Sequence, residues 1–355
     1  MTKSSHGNFH EDFRLGQRFD HAVPRTITVG DVSLYSAIYG MRFAIQSSDA
    51  FAQAVGLARA PVDPLLLFHI VFGKTVPDIS MNAVANLGYA ECRFLLPAFP
   101  GDSFTARSEV IGLRTNANGQ TGIVHVRTTG SNQHGQDVLT YVRWVMVARR
   151  DPGGPAPAPV TPTLADHVPA SDLVVPVGLH LGGYDHRIAG SPHGLDAYLA
   201  GERIDHIDGM TIEEAEHQIA TRLYQNTARG HFDRRLQAGS RFGQRIVYGG
   251  HIMSLARALS FNGLQNAGWI AAINGGRHVN AVVAGDTVYC WSQILDTKPM
   301  VGREDIGAVR IRTVVTRDLP CVDFPEPGGS DAAAVVLELD YWALMPSRSN
   351  PAISC

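Results

Sequence analysis

The sequence predicts an α+β protein built from two tandem, related halves, each an antiparallel sheet wrapped around one buried helix. Three observations carry this. One register repeats along the chain: LGQRFDHAVPRTIT from Leu15 matches AGERIDHIDGMTIE from Ala200, an offset of 185 (200 less 15). It pairs Gly16 with Gly201, Arg18 with Arg203, Asp20 with Asp205, His21 with His206 and Tyr39 with Tyr224. FPGDSF from Phe99 matches VAGDTV from Val283, and VHVRTT from Val124 matches VRIRTV from Val309, in almost the same register. A register held this long marks a duplication. The second observation is the stretch from Arg149 to Pro176, where proline and glycine are too dense for a helix or a central strand. It divides the chain into an N-terminal domain, 1–148, a linker, 149–176, and a C-terminal domain, 177–355. The third is that each half runs from an apolar helix into a series of strand-like segments.

The elements follow in order. TVGDVSLYSAIYG opens a helix with a Thr28/Asp31 capping pair. Its counterpart has Thr211/Glu214, with Ala215, Ile219 and Leu223 on one face. Short helices are expected at SSDAFAQAVG and FDRRLQAG, then the apolar helices DPLLLFHIVFG and GGHIMSLARAL. Strands are expected at ECRFLLPAF, SFTARSEVIGL, GIVHVRTTG and DVLTYVRWVMVAR, and again at RHVNAVV, TVYCWSQIL, GAVRIRTVV and AAVVLELDYWALM.

Composition narrows the function. The 355 residues carry a net charge of −3 and are 18% charged, so no basic footprint for nucleic acid exists. The best apolar run, Pro64–Gly73, is too short for a membrane helix and contains His69. The N-terminal MTKSSHGNFHEDFR has no apolar signal core. A cytoplasmic protein that binds neither nucleic acid nor membrane is expected. Cys92, Cys290, Cys321 and Cys355 are too scattered for a metal pair or a disulfide framework.

Tyr224 followed by QNTARGHFD, the glycine-headed helix YGGHIMSLA at Tyr248, and the Gly285-Asp286-Thr287 turn resemble the MaoC-type hot-dog hydratases. The resemblance implies a double hot-dog fold. It also implies reversible hydration of an α,β-unsaturated acyl-CoA, most closely mesaconyl-CoA (2-methylfumaryl-CoA) to β-methylmalyl-CoA. The acyl-CoA is then the partner, no cofactor or metal is needed, and a homodimer is left open as the assembly. His231 and Asp233 fall on the family's His and following Asp, while Asn226 stands where the family has its catalytic Asp.

Hydration needs a group that takes a proton from water, a proton delivered to the α-carbon, and donors for the thioester oxygen as it gains charge. His231 suits the proton work near neutral pH. Asn226 can position water but cannot act as a base. Asp233 either orients His231 or caps the helix that follows. The amides of Gly249 and Gly250, at a helix N-terminus, suit an oxyanion hole, although the glycines could equally serve tight packing. Arg229 is placed to meet the free carboxylate of the acyl group, and Tyr224 and Tyr248 border the substrate. The histidines in GGYDHRIAGSPHG have no metal-ligand spacing, and the segment reads as a substrate-covering or connecting loop. NGGRHVN reads as a glycine turn before a strand, with Arg277 as the other reading, a phosphate contact.

In the first half, Gln46 stands at the position of His231, Met41 at that of Asn226 and Asp63-Pro64 at that of Tyr248-Gly249. Neither Gln46 nor Met41 can carry protons, so one active site is expected per chain. An acyl-CoA thioesterase on the same fold is the alternative enzyme, recognised by thiol release. A non-catalytic acyl-CoA-binding module is the other alternative, recognised by binding without turnover.

Overall fold

The structure, a computed structural model, describes residues 3–350. Cys355 lies outside the described residues. The first half contains β1 (Arg18–Thr26), β2 (Ala83–Phe94), β3 (Ser103–Thr115), β4 (Thr121–Ser131) and β5 (Asp137–Ala148). The second contains β6 (Arg203–Thr211), β7 (Trp269–His278), β8 (Thr287–Pro299), β9 (Ile306–Arg317) and β10 (Val335–Pro346). The helices are α1 (Val29–Tyr39), α2 (Ala44–Ser47), α3 (Asp49–Ala54), α4 (Pro64–Thr75), α5 (His186–Ala189), α6 (Glu214–Leu223), α7 (Arg234–Ala238), α8 (Gly249–Leu259) and α9 (Phe261–Leu264).

All ten strands form one sheet, in the order β1-β3-β4-β5-β2-β7-β10-β9-β8-β6. Every neighbouring pair is antiparallel. The second half repeats the first in reverse across the β2–β7 junction, where Tyr89 faces Gly276 and Cys92 faces Ile273. The offset of 185 reappears in the elements: Arg203 against Arg18, Glu214 against Val29, Gly249 against Pro64 and Ile306 against Thr121. Matched triads confirm the duplication. His21 Nε2 meets Ser108 Oγ, which meets Thr128 Oγ1; His206 Nε2 meets Ser292 Oγ, which meets Thr313 Oγ1.

The two apolar helices, α4 and α8, lie against the same face of the sheet in one core. Every residue of α4 is buried. Two pairs of equivalent residues bond to each other and mark the pseudo-two-fold axis: Tyr39 OH to Tyr224 OH at 2.7 Å, and His69 Nε2 to Ser254 Oγ at 3.1 Å. Among the described residues no helix is long and apolar enough to cross a membrane.

The Thr28/Asp31 pair forms a capping box as expected. Its counterpart does not: α6 begins after Glu213 with no side-chain cap, Thr211 bonds Thr287 across β6 and β8, and Glu214 turns to Arg245. Two strands start earlier than the sequence suggests. β7 begins at Trp269 because WIAAI is buried on both faces, Trp269 and Ala271 in an outer cluster and Ile270 and Ile273 in the inner core. A doubly buried strand shows no alternation. NGGRHVN is correspondingly not a turn before a strand, since Asn274–His278 is the end of β7. β2 starts at Ala83, and Gly88 in it leaves room for the Trp144 ring.

Gly73 of α4 lies against the backbone of Tyr224 and Asn226, where a methyl group would meet the Tyr224 carbonyl oxygen. Helix propensity alone favours alanine over glycine by about 1 kcal/mol. Overpacking against backbone costs about 1–3 kcal/mol and cannot be relieved by a side-chain rotation. Gly73→Ala is therefore expected to destabilise, lowering the urea midpoint. A raised midpoint would show that the two segments are not in contact.

Candidate active site

Chain direction after α6 is set by Gly73, which lets Tyr224–Asn226 pass close to α4. Asn226 is buried, and its Oδ1 accepts the Ala228 N–H at 3.0 Å. A 3-10 turn, Arg229–His231, follows. Four hydrogen bonds hold this turn. Gln218 Nε2 donates to the His231 carbonyl, Arg245 Nη1 to the Phe232 carbonyl, the Ile246 N–H to the Gly230 carbonyl, and His231 Nδ1 to the Ile246 carbonyl at 2.9 Å. A carbonyl only accepts, so Nδ1 carries the proton and Nε2 keeps its lone pair. Burial, reinforced by His217, pushes the His231 pKa down to about 4 despite the Ile246 bond. The ring is a neutral base at pH 7.

The ring of His231 packs edge-on to Tyr248, 5.7 Å between centroids. Tyr248 is the N-cap residue of α8 and makes no side-chain cap bond. The first amides of a helix have no acceptor within it, so Gly249 and Gly250 head α8 with donors unused by a cap and a favourable dipole. Both glycines are also required by packing. A methyl group on Gly249 would strike the ring of His278, and one on Gly250 the rings of Tyr248 and His69. His278 hangs from the end of β7, and its Nε2 bonds Tyr89 OH at 3.1 Å. Burial, and then the charge of His231, lower its pKa to about 4.

Exposure separates the histidines around this helix end. His69, His217 and His251 are wholly buried, whereas His231 and His278 are only partly covered. The structure thus gathers His231, Tyr248, Gly249 and Gly250, and adds His278, which sequence reasoning missed. Its signal was present in NGGRHVN, one residue beyond Arg277. Arg277 itself is exposed and pairs with Glu338 at 2.8 Å. The Tyr224 ring packs 5.9 Å from that of Tyr248, with its hydroxyl on the pseudo-two-fold axis. Two other predicted residues lie at the surface. Asp233 is exposed and caps α7 through the Leu236 N–H at 2.9 Å. Arg229 is exposed on the rim. Among the described residues no three His, Cys, Asp or Glu side chains gather as a metal site. His186 bonds the Ser191 carbonyl of its own loop and Asn266, ahead of β7.

The equivalent place in the first half is closed. Asp63 caps α4 by accepting the Leu65 N–H at 2.8 Å, and Pro64 has no N–H to offer. Gln46 donates to the Gly268 carbonyl at 2.9 Å, and Met41 packs at the margin of the core.

Comparison with known proteins decides the family. The family model "Mesaconyl-CoA hydratase" matches residues 1–320. The chain belongs to the mesaconyl-CoA hydratase family. It is 60% identical over 349 residues to a β-methylmalyl-CoA dehydratase of Chloroflexus aurantiacus, covering 98% of this chain and 99% of that one. It is 55% identical over 346 residues to a mesaconyl-CoA hydratase of Cereibacter sphaeroides, covering 97% and 99%. A crystal structure of a MaoC domain protein from Chloroflexus aurantiacus superposes with a TM-score of 0.96 at 59% identity, over 98% of this chain and all of that one. A Mycobacterium tuberculosis protein described as a double hotdog fold gives 0.74 at 25% identity, covering 96% and 98%. The double hot dog is therefore the fold, and family membership makes the chain a hydro-lyase.

Five histidines of this mesaconyl-CoA hydratase family member (His69, His206, His231, His251 and His278) have pKa values lowered by burial to between about 3 and about 4. The unfolded chain protonates them near pH 6.5, so below that pH it binds protons that the folded chain refuses. Stability is then full above about pH 6.5 and is lost as pH falls towards 4, at up to about 1.4 kcal/mol per pH unit for each group. Carboxylates held low, such as Asp305 at about 2, add to this only below about pH 4. The urea midpoint is expected to fall steeply between pH 7.5 and 5; a flat midpoint would mean that these rings are solvated.

Proposed function

We propose that this chain interconverts mesaconyl-CoA and β-methylmalyl-CoA at a single site, the N-terminus of α8. The observation that carries the reading is the uncapped α8 terminus with a neutral, partly accessible imidazole beside it. It occurs in a chain 55% and 60% identical to relatives named for these two directions of the reaction. His231 Nε2 takes a proton from water, and the oxygen bonds to the β-carbon. The electron pair of the double bond moves through the α-carbon to the thioester oxygen, which accepts from the Gly249 and Gly250 amides. The enolate then collapses as His231 returns the proton to the α-carbon, so that one water has been added in full. His278 holds the water, oriented by Tyr89. Asn226 shapes the turn that presents His231. Coenzyme A enters as part of the substrate, and no cofactor takes part.

The purified protein is expected to remove the conjugated absorbance of mesaconyl-CoA and yield a product heavier by one water. Release of free thiol instead would identify a thioesterase. His231→Gln is expected to lower kcat by roughly 10²–10⁴-fold, the scale of general acid–base catalysis. His278→Gln should lower it by roughly 10²-fold through misplaced water. Near-normal turnover in His231→Gln would remove it from the reaction.

A further inference from the structure

Arg143 of β5 is fully buried. Its Nη2 donates to Thr75 Oγ1 at 2.7 Å and Ser80 Oγ at 3.3 Å, and its guanidinium carbon sits 4.2 Å from the centroid of Phe72. Among the described residues no carboxylate pairs with it. Its Nε has no partner, nor has the hydroxyl of Tyr141, two positions earlier on the same face of β5. A guanidinium in the interior is costly unless an anion answers it, and hydroxyl dipoles and an aromatic face offset only part of that cost.

The duplication shows what is missing. Val126 pairs with Arg143, and its equivalent Ile311 pairs with Tyr341, so Tyr341 holds the place of Arg143. The buried Arg257 of α8 holds the place of Phe72, 185 positions earlier. Cation and ring have changed places. Arg257, although its own Nε and Nη1 have no partner, feels the charge of a carboxylate from the first half, Asp63, the buried N-cap of α4, with no hydrogen bond between them. The equivalent of Asp63 is Tyr248, again 185 positions on, and tyrosine is neutral. Asp63 alone provides two things in the closed half: an acceptor for the helix amides and an anion for the arginine. The open half lacks both. Arg143 is on that side of the core. Its stacking partner Phe72 is 5.6 Å from Tyr248 and 6.1 Å from Tyr89, the rings that touch His231 and His278.

A thioester that also carries a free carboxylate supplies both missing groups, a carbonyl oxygen for the amides and an anion for the guanidinium. We propose that Arg143 binds the free carboxylate of the acyl group and selects thioesters of dicarboxylic acids. This rests on the proposed hydratase reading and assigns the carboxylate to Arg143 rather than to the exposed Arg229.

The test compares mesaconyl-CoA with crotonyl-CoA, which lacks the charge, in wild-type protein, Arg143→Met and Arg229→Met. Wild type inactive on both thioesters would sink the hydratase reading itself. With active wild type, Arg143→Met is expected to lose roughly 10²-fold or more in kcat/KM on mesaconyl-CoA and to change little on crotonyl-CoA, while Arg229→Met keeps the wild-type preference. Equal losses on both substrates in folded Arg143→Met would overturn the proposal. Should the methionine variant not fold, a crystal structure of wild type with a non-hydratable thioether analogue decides. The carboxylate on the Arg143 guanidinium supports the proposal; the carboxylate on Arg229 or in solvent overturns it.

Discussion

The contact on which the rest depends is the meeting of the two halves along their own pseudo-two-fold axis. Tyr39 bonds Tyr224, and His69 bonds Ser254, each residue touching its own duplicate. These groups lie among apolar side chains where an unpaired hydroxyl or ring nitrogen costs about 1–3 kcal/mol. Neither half could satisfy them alone. The axis also fixes how closely α4 approaches the end of α6, and hence where the turn carrying His231 begins. Site geometry is thus inherited from the core rather than from a surface loop.

Duplication gives two helix N-termini inside one sheet, and the chain treats them oppositely. Asp63 and Pro64 close the first, which favours stability: a side-chain cap contributes about 1 kcal/mol. Tyr248, Gly249 and Gly250 leave the second open, and they let two imidazole rings lie on the backbone. The half without proton carriers is not idle. Its β2 supplies Tyr89 to His278, and its α4 supplies Gly73 beneath the Tyr224–Asn226 segment.

What could be read from the sequence follows from what each signal encodes. The offset of 185 was legible because both copies keep polar side chains, such as His21 and His206, that bond inside the sheet. The Thr28/Asp31 box was legible because it is local. The start of β7 was not, since burial on both faces erases alternation; that of β2 was not, since its first residues are exposed and Gly88 looks like a turn. His278 was hidden for another reason: its place beside Gly249 is a contact between segments far apart in sequence. The glycines at 249 and 250 allowed two readings in sequence; the packing one is seen in the rings that lie against them, and the oxyanion hole is the one proposed.

Burial gives the proposed chemistry its particular balance. At about 4, the pKa of His231 makes it neutral at working pH but a weak base towards water. The deficit is met only as the reaction advances. Negative charge growing on the thioester oxygen lies in the same water-poor crevice as the proton gained by His231, and opposite charges there attract far more strongly than in water. The amides of α8 add fixed dipoles aimed at that oxygen. The first attraction is absent from the resting complex, where ring and thioester are both neutral, and the second acts there only on a neutral carbonyl oxygen and grows with its charge. The desolvation that weakens His231 before reaction therefore strengthens it in the transition state, and the difference lowers the barrier without tightening the ground state. A charged His231 at rest would forfeit this, because the proton acceptor would already be filled.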